Sequence, residues 1–343
     1  MSSYLRVQEE RISKELADHA LDSAVRALFA LSWGRARDLV ARGKVRVDGR
    51  TVTNPVVRVR EGALVTLDLA ARSLDRDAKP GLPDAAVVFV DAHVIVVEKP
   101  AGVATVPFDP EGMGASIAKR AQPGEALTLD ALVRQTLARL EKRRGRSGPP
   151  PDIGVVHRLD KETTGLVVFT RTWAAKKALM QAFRMHTVHR RYLAIVHGEA
   201  KSETIRSHFV PNRGDGIRGS VEKRHGRKHA VGSEKTQLAV THVEVVERLP
   251  GKGAGTPCTL VACRLETGRT HQIRIHLAEA GHPLVGERVY VRDAGDRGAP
   301  TIPAPRMMLH AADLGFVHPA TNREMSWTSA LPADIEEMLK FLR

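Results

Sequence analysis

The stretch Gly154-Val155-Val156-His157-Arg158-Leu159-Asp160-Lys161-Glu162-Thr163-Thr164-Gly165-Leu166-Val167-Val168-Phe169-Thr170 decides how this chain of 343 residues is read. Apolar residues lead into a charged turn, and apolar residues lead out of it through Gly165. That pattern predicts two strands with Asp160 on the loop between them, where a rigid scaffold leaves a reactive group both exposed and positioned. A lesser reading makes Asp160 a turn cap and leaves Lys161 and Glu162 as solvated charges. For His157 to Asp160 taken alone, the lesser reading is the better one. The surroundings of the loop have to decide.

Upstream, Val87 to Val90 and Val94 to Val97 flank the turn Asp91-Ala92-His93, and Lys99-Pro100-Ala101-Gly102 breaks the second strand. Leu129, Leu132, Val133, Thr136, Leu137 and Leu140 fall at helical spacing, in a helix ending at Arg143, Arg144 and Arg146. Downstream, strands are predicted at Leu166 to Thr170, Tyr192 to Val196, Thr241 to Glu247 and Thr259 to Leu265, and a last helix near Ala333 to Leu342. Thr270 is placed to cap a helix with Ile273, Leu277 and Ala280 as its buried stripe and Gly281 as its stop, which projects Arg274 from a rigid element. The strands come in bursts, without regular βα alternation. The expected class is therefore α+β, with a mixed, mainly antiparallel central sheet and flanking helices and loops.

A separate small α/β module comes first. Leu21, Ala24, Val25, Leu28 and Phe29 make one helical face, and Ser32 caps a second helix that carries Ala36, Leu39 and Val40. Lys44 to Val47 then alternate before Asp48-Gly49, a type I′ hairpin signal, and Val57, Val59, Val65, Leu67 and Leu69 are expected to continue the sheet. Arg35, Arg37, Arg42, Lys44, Arg46, Arg50, Arg58 and Arg60 are opposed by only Asp38, Asp48 and Glu61. So many cations on one helix and its hairpin favour phosphate binding over a merely solvated face. The expected divisions are 18–70 for this module, 71–84 for a linker and 85–343 for the main domain.

Composition agrees with a polyanion as partner. The chain holds 53 Lys+Arg against 39 Asp+Glu, a formal net charge of +14, and only 4% aromatic residues. So few rings argue against stacking many bases in succession. Two cysteines, Cys258 and Cys263, rule out a disulfide scaffold and match no zinc spacing, so buried free thiols in a reducing, cytoplasmic setting are expected. No apolar run is long enough for a membrane span, and the charged start resembles no targeting segment. His157, His271 and His276 are expected to be core or RNA-contacting residues; no metal is predicted, and a monomer is the default.

The helix pair and Gly-Lys-Val-x-Val-x-Gly hairpin from Leu31 to Val59 resemble the small RNA-binding module shared by a ribosomal small-subunit protein and tyrosyl-tRNA synthetases. His157 to Thr170 resembles the signature loop of the RluA-type pseudouridine synthases. Arg190 to Gly198 is similar to their second motif and Leu265 to Gly286 to their third, while Leu309-His310-Ala311 with Phe316 to Pro319 resembles the closing strands. These matches keep their order over about residues 86 to 342. The resemblance implies the pseudouridine synthase fold and an isomerase of RNA, with large-subunit ribosomal RNA the favoured substrate. It also implies that Asp160 is the essential carboxylate, that Arg274 pairs with it, and that Tyr192 contacts the target base. Arg158 is implied to fill the gap left in the stack. Arg190 stands where Lys is common, Val106-Pro107 replaces a His-Pro, and Arg213 to Lys235 is a basic, Gly-rich insertion expected to order on RNA.

The chemistry fits those residue types. Uridine becomes its C-glycoside when the bond from sugar to nitrogen breaks, the uracil turns, and a ring carbon rejoins the sugar. An ionised carboxylate beside the sugar can trap or stabilise the developing charge, or remove a sugar proton. Asp160 is the candidate, and the choice between nucleophile and base stays open. The isomerisation is redox-neutral and calls for no cofactor. Other readings stand beside it: a non-catalytic RNA-binding or ribosome-assembly factor on the same fold, or transfer RNA as substrate. A glycosidase would take Glu162 as its second carboxylate, and a nuclease would need a metal cluster of acids.

Overall fold

The computed structural model of the chain describes residues 7–71, 81–107, 127–146, 148, 151–213, 216–223, 236–291 and 302–343. The chain divides into two units, one of Met1–Gly81 with Pro107–Thr128 and one of Leu82–Val106 with Leu129–Arg343. The first contains β1 (Val7–Arg11), α1 (Leu21–Leu28), α2 (Trp33–Ala41), β2 (Val45–Val47), β3 (Arg50–Thr51) and β4 (Leu64–Asp68). Ser32 caps α2, its hydroxyl accepting from the Arg35 N–H at 3.3 Å. Asp48 and Gly49 take φ values of 49° and 75°, the left-handed pair that a type I′ turn requires, and β2 folds back on β3. Leu21, Val25, Leu39 and Val40 pack on Val45, Val65 and Leu67.

Two expectations for this unit fail. Val57 and Val59 lie in no strand; their backbone carbonyls accept from the Leu21 and Asp18 N–H groups, which ties that segment to the chain before α1. Residues ahead of position 18 also belong to the sheet, because β1 pairs with β4 from Val7 to Arg11. All five β1 side chains are exposed, so the strand carries no apolar alternation to read.

The second unit contains β5 (Val87–Val90), β6 (Val94–Lys99), α3 (Leu129–Arg143), β7 (Gly154–Val155), β8 (Thr164–Thr170), α4 (Trp173–Arg184) and β9 (His189–His197). It continues with β10 (Glu203–Val210), β11 (Gly219–Ser220), β12 (Gln237–Leu249), β13 (Cys258–Leu265), α5 (Gln272–Glu279), β14 (Leu309–Val317), β15 (Glu324–Thr328) and α6 (Ala333–Leu342). The strands form one sheet in the order β11-β10-β12-β13-β9-β14-β8-β6-β5, with β15 on β14 and β7 on β8. Among these pairs only β8 with β14 is parallel, which is the mixed, mainly antiparallel arrangement expected. Leu309–Ala311 and Phe316–Val317, matched to closing strands, turn out to be parts of one continuous strand, β14, and His318 and Pro319 lie just beyond its end.

Both faces of the sheet are covered, which is why its middle strands read as unbroken apolar runs. Ile95, Val97, Val167, Phe169, Tyr192 and Ala194 point to the core that α3 shares. Val94, Val96, Leu166 and Val168 point the other way, onto Ala175 and Leu179 of α4. Ile195 and Leu260 meet Ile335 and Leu339 of α6. Cys258 and Cys263 are free and buried in β13, and burial pushes their thiols up to about 11 and about 12.

The basic insertion is ordered at its start. Arg213 is fully buried, its Nη1 3.4 Å from Glu279 Oε1, and Ser220 donates through both N–H and hydroxyl to the same carboxylate. Residues 214–215 and 224–235 of the insertion lie outside those described. Among the described residues no helix is long and apolar enough to cross a membrane.

Candidate active site

The Asp160 loop is fixed by its backbone. Lys99 donates its ammonium to the carbonyls of Pro100, Val103 and Lys161 at 2.7–2.8 Å, and the Gly102 N–H donates to the Lys161 carbonyl at 2.9 Å. Thr105 Oγ1 both donates to the Leu159 carbonyl and accepts the Leu159 N–H. Arg306 reaches the Glu162 carbonyl at 3.2 Å. Burial pushes the Lys99 ammonium down to about 8, while Glu162 and Asp160 act in the opposite sense. Asp160 is thus partly exposed and anchored through the backbone on both sides.

Gly165 lets the loop enter the sheet. Its φ is +113°, and a Cβ there would strike the backbone of Ala311, its partner across the parallel pair. On the other side of β14, Ala311 is paired with Tyr192 of β9. Three adjacent strands therefore bring the Asp160 loop and Tyr192 to one place.

Arg274 arrives on α5. Its Nη1 lies 3.3 Å from Asp160 Oδ2, so the expected ion pair is present. Its Nε and Nη2 also donate to the two oxygens of Glu287 at 2.8 Å each. Nothing in the sequence pattern pointed to Glu287. Its carboxylate is fully buried and accepts further N–H groups from Arg288 and Val289. Burial pushes the Glu287 pKa up, but Arg274 and these N–H donors outweigh it, and the net direction is down.

The expected capping of α5 is corrected. His271, with a φ of 58°, is the N-cap and Thr270 is not. The Gln272 side chain instead accepts from the Arg269 N–H and Thr267 hydroxyl and donates to the Val240 carbonyl. Nor is one stripe buried: every residue from Gln272 to Ala278 is, because Ile273 and Leu277 face the central core while Ile275 and Ala278 face Phe209 and Tyr290. Gly281 does end the helix, at a φ of +87°.

The left-handed turn aims His271 at the site, its Nε2 3.8 Å from Asp160 Oδ1 and its Nδ1 2.8 Å from the Tyr290 hydroxyl. Burial holds the His271 pKa down against the pull of Asp160. His157 accepts the Val168 N–H on Nε2 and stacks on Phe183; burial, helped by Arg190, pushes it down to about 3. His276 is held between Ser207 and Thr241, away from both. Among the described residues no group of His, Cys, Asp and Glu is arranged to hold a metal.

His157, Asp160, His271, Gln272 and Arg274 line a cleft of about 420 Å³. Tyr192 is in its wall, its pKa raised by burial, with Arg190 opposing and Asp160 adding. Arg190 is buried over the Phe183 ring, 5.4 Å away, and burial lowers its pKa. Gly268 makes room for it, since a Cβ there would sit 2.9 Å from Arg190 Nη1. Arg158, Arg184 and Arg269 complete a lining of five arginines against one acid, Asp160. Glu162 is not in the lining, so the second carboxylate of a glycosidase is missing from it. A cleft with one carboxylate and many cations suits an anionic substrate with a single reacting centre.

In the N-terminal unit, Arg35, Arg37 and Arg46 make loose surface pairs with Asp38, Asp22 and Asp68 at 3.6–4.0 Å. Such pairs hold little energy and leave donors available to phosphate. Lys44 is different: it donates to the carbonyls of Leu69 and Ala71. Arg50 is exposed on β3.

Comparison with known proteins adds three findings. Residues 93–279 match the family described as RNA pseudouridylate synthase, and residues 21–65 match the S4 domain. The ribosomal large subunit pseudouridine synthase D of Zymomonas mobilis is 31% identical over 98% of this chain and 97% of its own length. The protein of that name from Nitrosomonas europaea is 30% identical over 98% of this chain and 88% of its own. Among solved structures, human RNA Pseudouridylate Synthase Domain Containing 4 superposes with a TM-score of 0.53 at 21% identity, covering 75% of this chain and 93% of that one.

Proposed function

This chain belongs to the RNA pseudouridylate synthase family and carries an S4 domain, and from that premise we propose that its substrate is large-subunit ribosomal RNA, with Asp160 as the catalytic carboxylate. The enzyme is an isomerase: uridine and pseudouridine contain the same atoms. The N1–C1′ bond breaks, the C5–C1′ bond forms, N1 gains a proton and C5 loses one. The observation that carries the assignment to Asp160 is that it is the single acid in the cleft wall. Arg274 holds Oδ2 at 3.3 Å, and in this reading Oδ1, 3.8 Å from His271 Nε2, is the oxygen offered to the sugar.

In this reading Tyr192 packs against the uracil and exchanges its C5 proton, and the Arg190 cation beside it favours the transient phenolate. Arg158, exposed at the cleft rim, enters the stack from which the base has been withdrawn. The N-terminal unit, proposed to act as an RNA grip, uses Arg35, Arg37, Arg46 and Arg50 on phosphates, with Lys44 bracing its backbone. The near full-length similarity to proteins named for the large ribosomal subunit supports ribosomal over transfer RNA.

Two measurements test this. Pseudouridine is mapped in ribosomal and transfer RNA from cells with and without the gene; a site lost only from transfer RNA would refute the substrate. Asp160→Asn is expected to abolish turnover while RNA affinity changes by less than about threefold, since the carboxylate makes no phosphate contact. Full activity in that variant would remove Asp160 from the mechanism.

A further inference from the structure

α4 is buried on one side only. Ala175 and Leu179 face the sheet. On the opposite side Trp173, Lys177, Met180 and Arg184 follow one another at intervals of four, three and four residues. At about 100° per residue these four fall within a stripe roughly 60° wide. All are exposed, Trp173 to 75% and Met180 to 43%. Trp173 is the most exposed of the chain's three tryptophans, ahead of Trp33 at 51%.

Two further observations say what covers this stripe. The helix carries Lys176, Lys177 and Arg184 and no acid, and Lys176 Nζ lies 5.8 Å over the Trp173 ring. Its C-terminal end is also continuous with the cleft, because Phe183, Arg184 and His186 are among the lining residues. Trp173 lies about 16 Å back along the helix from Arg184. A second copy of the chain would bring the same cations against themselves. A polyanion leaving the cleft would meet them in succession.

We propose that the exposed stripe of α4 is a docking surface for the RNA strand flanking the modified uridine. Trp173 stacks on an unpaired base, and Lys177 and Arg184 take phosphates on the path to the cleft. The inference rests on the reading that the cleft acts on RNA.

The test uses the full chain with an unmodified large-subunit ribosomal RNA transcript, measuring turnover and, independently of it, Kd by fluorescence anisotropy. Trp173→Ala is expected to weaken binding and raise KM about tenfold with kcat unchanged, and Trp173→Phe to restore most of the loss. Lys177→Ala is expected to lower the slope of log Kd against log salt by about 0.7–0.9. Kd and salt slope unchanged in both variants would overturn the proposal. So would altered sedimentation of Trp173→Ala without altered RNA affinity, which would assign the stripe to a second copy. Because Kd is read without turnover, a wild-type enzyme that modifies no ribosomal uridine would refute the substrate and leave the docking question answered separately.

Discussion

Arg274 sits between two carboxylates that do different work. Glu287 grips it with two bonds of 2.8 Å in a buried setting, whereas Asp160 touches it once at 3.3 Å and stays partly exposed. Glu287 holds the guanidinium in place, and Asp160 borrows its charge. Removing Glu287 leaves Arg274 buried with one weak partner, so Glu287→Ala is predicted to lose about 3–5 kcal/mol of stability, read as a fall in Tm or urea midpoint. The pH dependence has a definite sign. The folded pKa of Glu287 is depressed, so its contribution is present above the ordinary carboxylate range and is lost as pH falls through the lower folded value. Glu287→Gln is predicted to flatten that acid limb; an unchanged limb would show that the carboxylate is not responsible. That Asp160, Tyr192 and Arg274 meet in one cleft was legible from the motifs. Glu287 was not, because in Gly286-Glu287-Arg288 it looks like any solvated charge.

Among the elements, the turn after β6 shows why local reading has a limit. Lys99-Pro100-Ala101-Gly102 reads as a strand breaker, and it is one. What the sequence does not show is that the Lys99 ammonium turns inward to a carbonyl 62 residues away, at Lys161. Its partners are backbone atoms, which carry no residue identity to match. Lys99→Met is predicted to keep the fold and lower kcat by about tenfold or more while KM moves little, since a shift of the Asp160 loop misplaces the carboxylate proposed to react without touching the surfaces proposed to grip RNA. Equal losses in KM would place Lys99 in binding. Helix α4 and strand β10 were likewise absent from the predicted elements. The single exposed face of α4 carries Trp173 and Met180, which blurs the polar side of its helical pattern.

For the whole molecule, the net charge of +14 acquires two locations among the described residues: the cleft and its rim, and the N-terminal hairpin. Not every cation is available there, since Lys44 braces the chain and Arg42 lies 2.7 Å from Asp38. Arg50, exposed on β3, is the cleaner probe. Arg50→Ala is predicted to reduce the salt slope of RNA binding by about 0.7–0.9 with kcat unaffected. An unaltered slope would mean that the hairpin does not touch phosphate. The sheet's class was legible from its bursts of strands, but its order was not, because pairing is set by long-range register.

The one parallel pairing among the described strands, Thr164 with His310 and Gly165 with Ala311, has a consequence in time. The flank of the Asp160 loop is completed by a strand made about 150 residues later, so no early fragment of the growing chain can assemble the cleft. A competent cleft therefore has to wait until the chain has been made through β14.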